Sequence, residues 1–360
     1  MRKGVDAMSV RPPSVSVIIN NYNYGRFLRE AIDSALNQTY PDIEVIVVDD
    51  GSTDNSYDVI DSYEDRITPV LKDNGGQASA FNAGFTVSRG EIVMFLDADD
   101  YLFSHAVERV AAVWKQGVAE VHYRLEVVDA VGNAHGYLPP HEKRLDSGAV
   151  WQILLKRGSY ITSVTSGMGF SRAVLGQILP VPEAEFRISA DGYLATLAPF
   201  FGQVRSIEEA LGAYRQHGSN RWDYNEVSSE RFRQSVHHDL QKQALLTCKG
   251  AELGYKLPRD MGLRDYAQVQ ARIVSLRLDP EKHPVPSDHT LRLVHRGLYA
   301  IWRYSELNWK ERLVFSAWFV WVGFLPLSLA RPAISWLLVR RSRPEALTWI
   351  IKKLAPLMRR

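Results

Sequence analysis

Apolar runs recur at intervals through the first hundred residues: VSVIIN at 15–20, IEVIVV at 43–48, a weaker run at 67–71 and IVMFL at 92–96. Short runs without polar alternation fit strands buried on both faces of a parallel sheet. The gaps between them carry a different period. Phe27, Leu28, Ala31, Ile32, Ala35 and Leu36 return at helical spacing, as do Val59, Ile60 and Tyr63, and a small-residue helix is expected over 78–88. Alternation of strand and helix predicts an α/β fold: a doubly wound, mostly parallel, Rossmann-like sheet with right-handed crossovers.

Beyond residue 100 the pattern loosens. Ala106, Val107, Val110, Val113 and Trp114 predict another amphipathic helix. Two strands are expected over 118–124 and 125–131, followed by a Gly132-Asn133 turn and a surface loop over 136–144. Tyr193, Leu194, Leu197 and Ala198 form a helical run behind Asp191, and further helices are expected over 231–246, 266–278 and 291–304, with a loop at 280–287. The expected organisation is a loose leader at 1–13, a main domain at 14–222, an α-helical extension at 223–308 and hydrophobic, basic helices at 309–360.

Composition, at 46% hydrophobic and 23% charged, is that of a globular chain with material for a sizeable core. Cys248 is the sole cysteine, which excludes an intramolecular disulfide and a multi-cysteine metal site. The opening MRKGVDAMSVRPP lacks the apolar core of a signal peptide, so export is not expected. The net charge of +2 is unevenly spread. Residues 331–360 hold eight Lys/Arg against Glu345, a local +7 that leaves −5 elsewhere. A basic tail on a near-neutral body points to a polyanionic surface.

Immediately before that tail, residues 313–330 run for 18 positions without a charge, the lower limit for a membrane span. Pro326 interrupts the stretch, and a single crossing would set the +7 tail against the positive-inside tendency. The expectation is therefore a re-entrant or in-plane arrangement, with the protein cytoplasmic and peripherally attached to the inner face of the cell membrane. A buried helix pair or a dimer contact is the alternative. No nucleic-acid partner is expected.

Candidate chemistry sits where the strands stop. IVMFL ends abruptly in Asp97-Ala98-Asp99-Asp100. Carboxylates gathered at the carboxyl end of a buried strand repel one another and are costly to desolvate. A divalent cation would relieve both effects, and ligands of open α/β sheets bind at this edge. An acidic turn capping the next helix explains the same residues. The second strand ends in Asp49-Asp50, on the same edge. Neither G-x-x-x-x-G-K-[ST] nor G-x-G-x-x-G follows the first strand, which argues against P-loop hydrolases and NAD enzymes. Asp191, by spacing alone, reads as a helix cap. His217, beside Arg215 and Asn220, reads as a structural histidine near a strand end.

The ordered set VSVIINNYNYGRFLREAIDSALNQTYPDIEVIVVDDGSTDNS, NGGQASAFNAGF, GEIVMFLDADD, SADGYL and YRQHGSN, spanning about residues 15–220, resembles the inverting family-2 glycosyltransferases with the A-type nucleotide-diphospho-sugar fold. The resemblance implies roles by position. Asn20, Tyr22 and Asp50 match contacts to the nucleotide base, and Lys72 and Gln77 lie in the loop beside the nucleotide. Asp97 and Asp99 match the Asp-x-Asp motif. Asp99 or Asp100 would hold Mn²⁺ or Mg²⁺, and His217 falls where some relatives place an additional metal or diphosphate contact. Asp191 matches the general base, although many relatives carry Glu-Asp where this chain has Ala190-Asp191.

The activity so implied moves a sugar from a nucleotide-diphospho-sugar, a UDP-sugar being favoured, to an acceptor hydroxyl. The expected acceptor is a glycan or lipid-linked glycan in bacterial surface polysaccharide synthesis. A sugar nucleotidyltransferase would want a Gly-rich, basic loop after the first strand, which NNYNYG does not supply. The other alternative, a catalytically silent binding module on the membrane, has no need of Asp99 and Asp191.

Overall fold

The structure, a computed structural model, describes residues 11–218, 220 and 227–338. Most of the expected leader and of the basic tail lie outside the described residues. Two compact units divide the chain: residues up to Val150 with Ile161–Gln216, and Trp151–Tyr160 with the chain from His217 onward. The division thus differs from the boundary expected at 222, and a ten-residue excursion of the first unit's sequence belongs to the second.

In the first unit the elements run β1 (Val15–Asn21), α1 (Gly25–Leu36), β2 (Ile43–Asp49), α2 (Ser56–Asp61), β3 (Thr68–Leu71), α3 (Gln77–Val87), β4 (Ile92–Asp97), β5 (Tyr101–Leu102), α4 (Ala106–Val113), β6 (Val118–Asp129) and β7 (Ala134–Leu138). The short α5 (Trp151–Arg157) belongs to the second unit. The first unit resumes with β8 (Met168–Ser171), α6 (Arg172–Ile178), α7 (Ala190–Leu197) and β9 (Gln203–Gln216). The strands form one sheet in the order β3-β2-β1-β4-β8-β6-β9-β5, with β7 paired to β6. β3, β2, β1 and β4 are parallel, β6 and β9 are parallel, and β8 runs antiparallel between the two groups. The α/β class and the mostly parallel sheet follow the hydrophobic pattern.

Alternate side chains of the central strands face different helices. Val17, Ile19, Val47 and Met94 share a buried cluster with Leu28, Ala31 and Ile32 of α1 and Val107 and Val110 of α4. On the other face, Phe95 stacks on Phe81 of α3 at 3.9 Å between ring centroids. Burial on both faces is the physical reason the strands read as unbroken apolar runs.

The two strands expected over 118–131 are one continuous strand, β6. Arg124, at the expected break, does not end it. Its buried guanidinium donates to the carbonyls of Pro139, Pro140 and Lys143 and pairs with Glu208, so its charge is met inside the fold. β8 and the long β9 had no clear apolar signature. β8 is four residues, and β9 alternates buried and exposed positions only irregularly.

The second unit is helical. Beyond α5 it comprises α8 (Ser229–Glu252), α9 (Tyr266–Leu278), α10 (Thr290–Arg303), α11 (Trp309–Phe324) and α12 (Leu327–Leu338). Its core gathers Val269, Ile273, Leu293, Ile301, Phe319 and Ile334. Inside it, Arg272 grips Asp288 bidentately at 2.6 and 2.7 Å, and His283 lies 3.1 Å from the same carboxylate. Asn308 caps α11 through a capping box with Glu311. The uncharged stretch 313–330 is not one helix. It breaks at Leu325-Pro326 between α11 and α12, and no helix among the described residues is long and apolar enough to cross a membrane.

Candidate active site

The parallel register sets the site. β1 pairs Asn20 with Asp97 of β4 on one side and Asn21 with Asp49 of β2 on the other. The carboxyl ends of three strands therefore deliver amides and acids to one sheet edge.

At the end of β4, Asp97 Oδ1 accepts from Asn20 Nδ2 at 2.7 Å and from Gln77 Nε2 at 3.2 Å. The Asp99-Asp100 turn is held from behind by Arg215, a buried residue of β9. Its backbone N–H donates to Asp100 Oδ1 at 2.9 Å, and its Nε donates to the Asp99 carbonyl at 2.9 Å. The guanidinium also pairs with Glu30 and lies over the rings of Phe27 and Tyr101, at 4.8 and 5.4 Å. Ser166 Oγ donates to Asp100 Oδ2 at 2.6 Å and accepts from the Asp97 N–H at 3.1 Å.

These donors do not cancel the crowding of charge. Burial first, and then the Asp99 carboxylate, push the Asp97 carboxyl up to about 7. Burial, with Asp99 and Asp97 beside it, holds Asp100 well above the usual carboxylate range. The Tyr24 phenol is raised by burial and then by the charges of Asp99 and Asp97.

Asp50, expected to meet the nucleotide base, is held by the protein's own donors. Its buried carboxylate accepts from Lys72 Nζ (2.7 Å) and the Gly75 N–H (2.9 Å) at Oδ1, and from Asn74 Nδ2 (3.1 Å) and the Gly76 N–H (2.6 Å) at Oδ2. These four donors match the roughly four lone-pair positions a carboxylate offers. Asp50 anchors the 72–76 loop, and Lys72 is one of its anchoring donors rather than an open cation. Gly76 sits at φ +88, where a Cβ would stand 2.4 Å from the Arg187 carbonyl oxygen. Only glycine fits both constraints without strain.

That loop aims Gln77. Its backbone N–H donates to the Arg187 carbonyl at 2.7 Å, and its side-chain oxygen accepts from the Ala190 N–H at 3.1 Å, in the first turn of α7. Gln77 thus joins Asp97 to the helix start that carries Asp191. The carboxylate of Asp191 is close enough to Asp97 to raise its pKa by repulsion, although 94 residues separate them in sequence. Asp191 does not cap α7. Ser189 holds the N-cap position, and Asp191 Oδ1 accepts from the Gly192 N–H at 2.8 Å within the first turn.

Asn20, Gln77, Asp97, Asp99, Asp100 and Asp191 are therefore linked by bonds or by charge. Tyr22 is 48% exposed at the rim of the same edge. His217 falls in the second unit, its N–H bonded to Asn220 Oδ1 at 2.8 Å. Among the described residues no three His, Cys, Asp or Glu side chains are grouped to hold a metal ion. Both oxygens of Asp100 already accept protein bonds.

The donor set nevertheless suits a hard cation at Asp97 and Asp99. The carboxylates are oxygen ligands crowded by like charge, and Asn20 Oδ1 beside them is buried without a hydrogen-bond partner. Ser166, Tyr24, Asn74 and Arg187 were not singled out from the sequence. Their parts depend on long-range contacts, and nothing in their local spacing marks them. Arg215 was visible in YRQHGSN, but its task was not.

Known proteins bear on this arrangement. A mannosyltransferase from Pyrobaculum calidifontis, in complex with GDP-Man and Mn²⁺, superposes with a TM-score of 0.50 at 18% identity, covering 92% of this chain and 85% of that one. The fold is that of the A-type glycosyltransferases. Residues 16–149 match the glycosyl transferase family 2 model, and the chain belongs to that family. An uncharacterized glycosyltransferase of Nostoc sp. is 39% identical over 211 residues, 57% of this chain and 66% of that protein. A hyaluronan synthase of Pasteurella multocida is 45% identical over 101 residues, 27% of this chain and 10% of that protein. The chain thus spans only part of each relative.

Proposed function

We propose that the chain is an inverting glycosyltransferase that moves a sugar from a nucleotide-diphospho-sugar to an acceptor hydroxyl. The observation that carries this reading is the Gln77 bridge, which brings the Asp97 end of the donor-side acids together with the helix start bearing Asp191. The glycosyltransferase relatives support it, and the hyaluronan synthase among them favours a glycan acceptor.

The side chains divide the work. Asp191, at the start of α7, takes the proton from the acceptor hydroxyl as attack develops, a general-base contribution typically worth ~10²–10⁴-fold. Asn20, Gln77 and the Asp50-anchored loop fix the donor-side edge, with Tyr22 at its rim. A Mn²⁺ or Mg²⁺ ion bound at Asp97 and Asp99 would supply Lewis-acid neutralisation of the departing diphosphate. Ser166 and Arg215 hold those acids in place. With one base and one displacement, the anomeric centre inverts, and no residue is required as a covalent nucleophile.

A UDP-sugar donor and a lipid-linked acceptor are the finer parts of this proposal. A panel of UDP- and GDP-sugars, screened for cation-dependent turnover with nuclear magnetic resonance of the product anomer, tests donor and stereochemistry together. Retention of configuration, or turnover indifferent to chelator, overturns the mechanism.

A further inference from the structure

Beyond its charged first turn, helix α11 carries no charge from Leu313 to Phe324 and is apolar on nearly every side. Trp318, Phe319 and Val322 are buried in the core of the second unit, while Leu313, Val320, Trp321 and Phe324 on the outward face are 44–58% exposed. A helix hydrophobic all round belongs in an interior, and exposed apolar patches of this kind mark interaction surfaces. The outward face lines a shallow, open apolar groove of about 660 Å³, to which α10 contributes Leu298.

The polar atoms of this face are already satisfied. Trp321 Nε1 donates to the Leu329 carbonyl at 3.0 Å, and Trp302 Nε1 donates to Ser316 Oγ at 3.2 Å. Arg277 donates to the Leu325 carbonyl at the break between α11 and α12. The face can leave water without stranding either indole N–H, and a stranded donor is the larger penalty in any burial.

Its surroundings are cationic. Arg303 and Arg331 are exposed at the end of α10 and on α12, and Lys310 lies over the Trp309 ring at 5.5 Å. The nearby acids are engaged: Glu306 pairs with Arg157 at 2.8 Å, and Glu311 accepts from the Asn308 N–H at 3.0 Å. Residues 331–360, Arg331 included, carry a net +7 in the sequence. A second copy of the chain would bring like charge against like, whereas anionic lipid headgroups complement both the apolar face and its basic border.

We propose that α11 lies in the plane of an anionic lipid bilayer, with its outward face at the boundary between headgroups and acyl chains. The break at Leu325-Pro326 turns α12 back along the surface instead of through it. This docking stands independently of the catalytic reading.

The test uses the full chain and vesicles of phosphatidylglycerol with phosphatidylcholine, against vesicles of phosphatidylcholine alone, without any sugar donor. The wild type sediments with the anionic vesicles, and salt weakens it. Val320→Asp with Phe324→Asp lowers partitioning by about tenfold or more at unchanged thermal midpoint, because charge is disfavoured at that depth. Brominated acyl chains quench wild-type fluorescence, and Trp321→Phe removes part of that quenching. Absence of wild-type binding to anionic vesicles overturns the proposal, as does undiminished binding of the doubly charged variant. A wild-type dimer that this variant dissociates, with no vesicle binding by either, assigns the face to a second copy instead.

Discussion

The acid-lined edge of the first unit and the outward face of α11 in the second handle desolvation in opposite ways. At the edge, charges are taken out of water and then held by donors: Asp50 by four, Asp100 by Ser166 and the Arg215 N–H. On α11, apolar side chains are left in water with their polar neighbours satisfied. The edge is densely bonded because each removed charge requires several partners in fixed places. The helix face needs no such partners, only a medium to enter. Positional precision is thus concentrated at the proposed active site, and the apolar face proposed for docking lies elsewhere.

The largest effect expected is on turnover. Asp191→Asn keeps the shape of the α7 start and removes the base, so kcat falls by about 10²–10⁴-fold while donor affinity, read by calorimetry, stays within about twofold. An equal loss of donor binding would move Asp191 from proton transfer to the donor side of the edge. Arg215→Met comes next, on stability. It strips the guanidinium from a turn that still carries Asp97, Asp99 and Asp100, and leaves Glu30 unpaired. Glu30 is half-exposed, so most of the loss comes from the buried Asp99 carbonyl left without its donor, about 1–3 kcal/mol, seen as a lower urea midpoint. A small shift instead would show that the backbone bond from Arg215 to Asp100, which the variant keeps, is what holds the turn.

Asp50→Asn is expected to cost about 2 kcal/mol, since an amide NH₂ replaces one acceptor where four donors converge. If Asp50 contacted the base directly, the variant would change the preference among nucleotides. As a loop anchor, it weakens all donors alike, and competition between UDP- and GDP-sugars distinguishes the two.

These cases show what the chain disclosed before its fold was known. β1, β2 and β4 were legible because burial on both faces removes polar alternation, whereas β3, largely exposed at the sheet edge, left only a weak run; Asp97 and Asp99 were legible because they interrupt such a run. Three things were not. Asp50 looked like an open acceptor, because the donors of the 72–76 loop reach it only after β2 and β3 align. The union of Asp97 with Asp191 depends on one side chain, Gln77, that bonds in two directions. β6 was divided at Arg124, since a buried arginine can persist mid-strand only where carbonyls from a distant loop surround it. Local pattern reports local burial, whereas satisfaction of a buried charge is a tertiary fact.

The smallest effect tests whether the second unit also keeps a charge-averse interior. Burial first, and then the Lys242 cation, lower the His238 imidazole from 6.5 to about 3. Its folded pKa is depressed, so below pH 6.5 the unfolded chain binds a proton that the folded chain refuses. Stability therefore falls as pH drops from 6.5 towards 3 and is unaffected above that window. By pH 5.5 the loss is about 1 kcal/mol. Asp239, raised by burial and paired with Lys242 at 3.4 Å, acts with the opposite sign, favouring the fold as pH falls. Comparing the wild type with His238→Gln cancels that contribution. The variant should lose less stability between pH 7.5 and 5.5 than the wild type by about 1 kcal/mol, measured by urea midpoints. Equal losses would mean that His238 reaches water in the folded chain, and that the second unit tolerates charge more freely than its apolar helices imply.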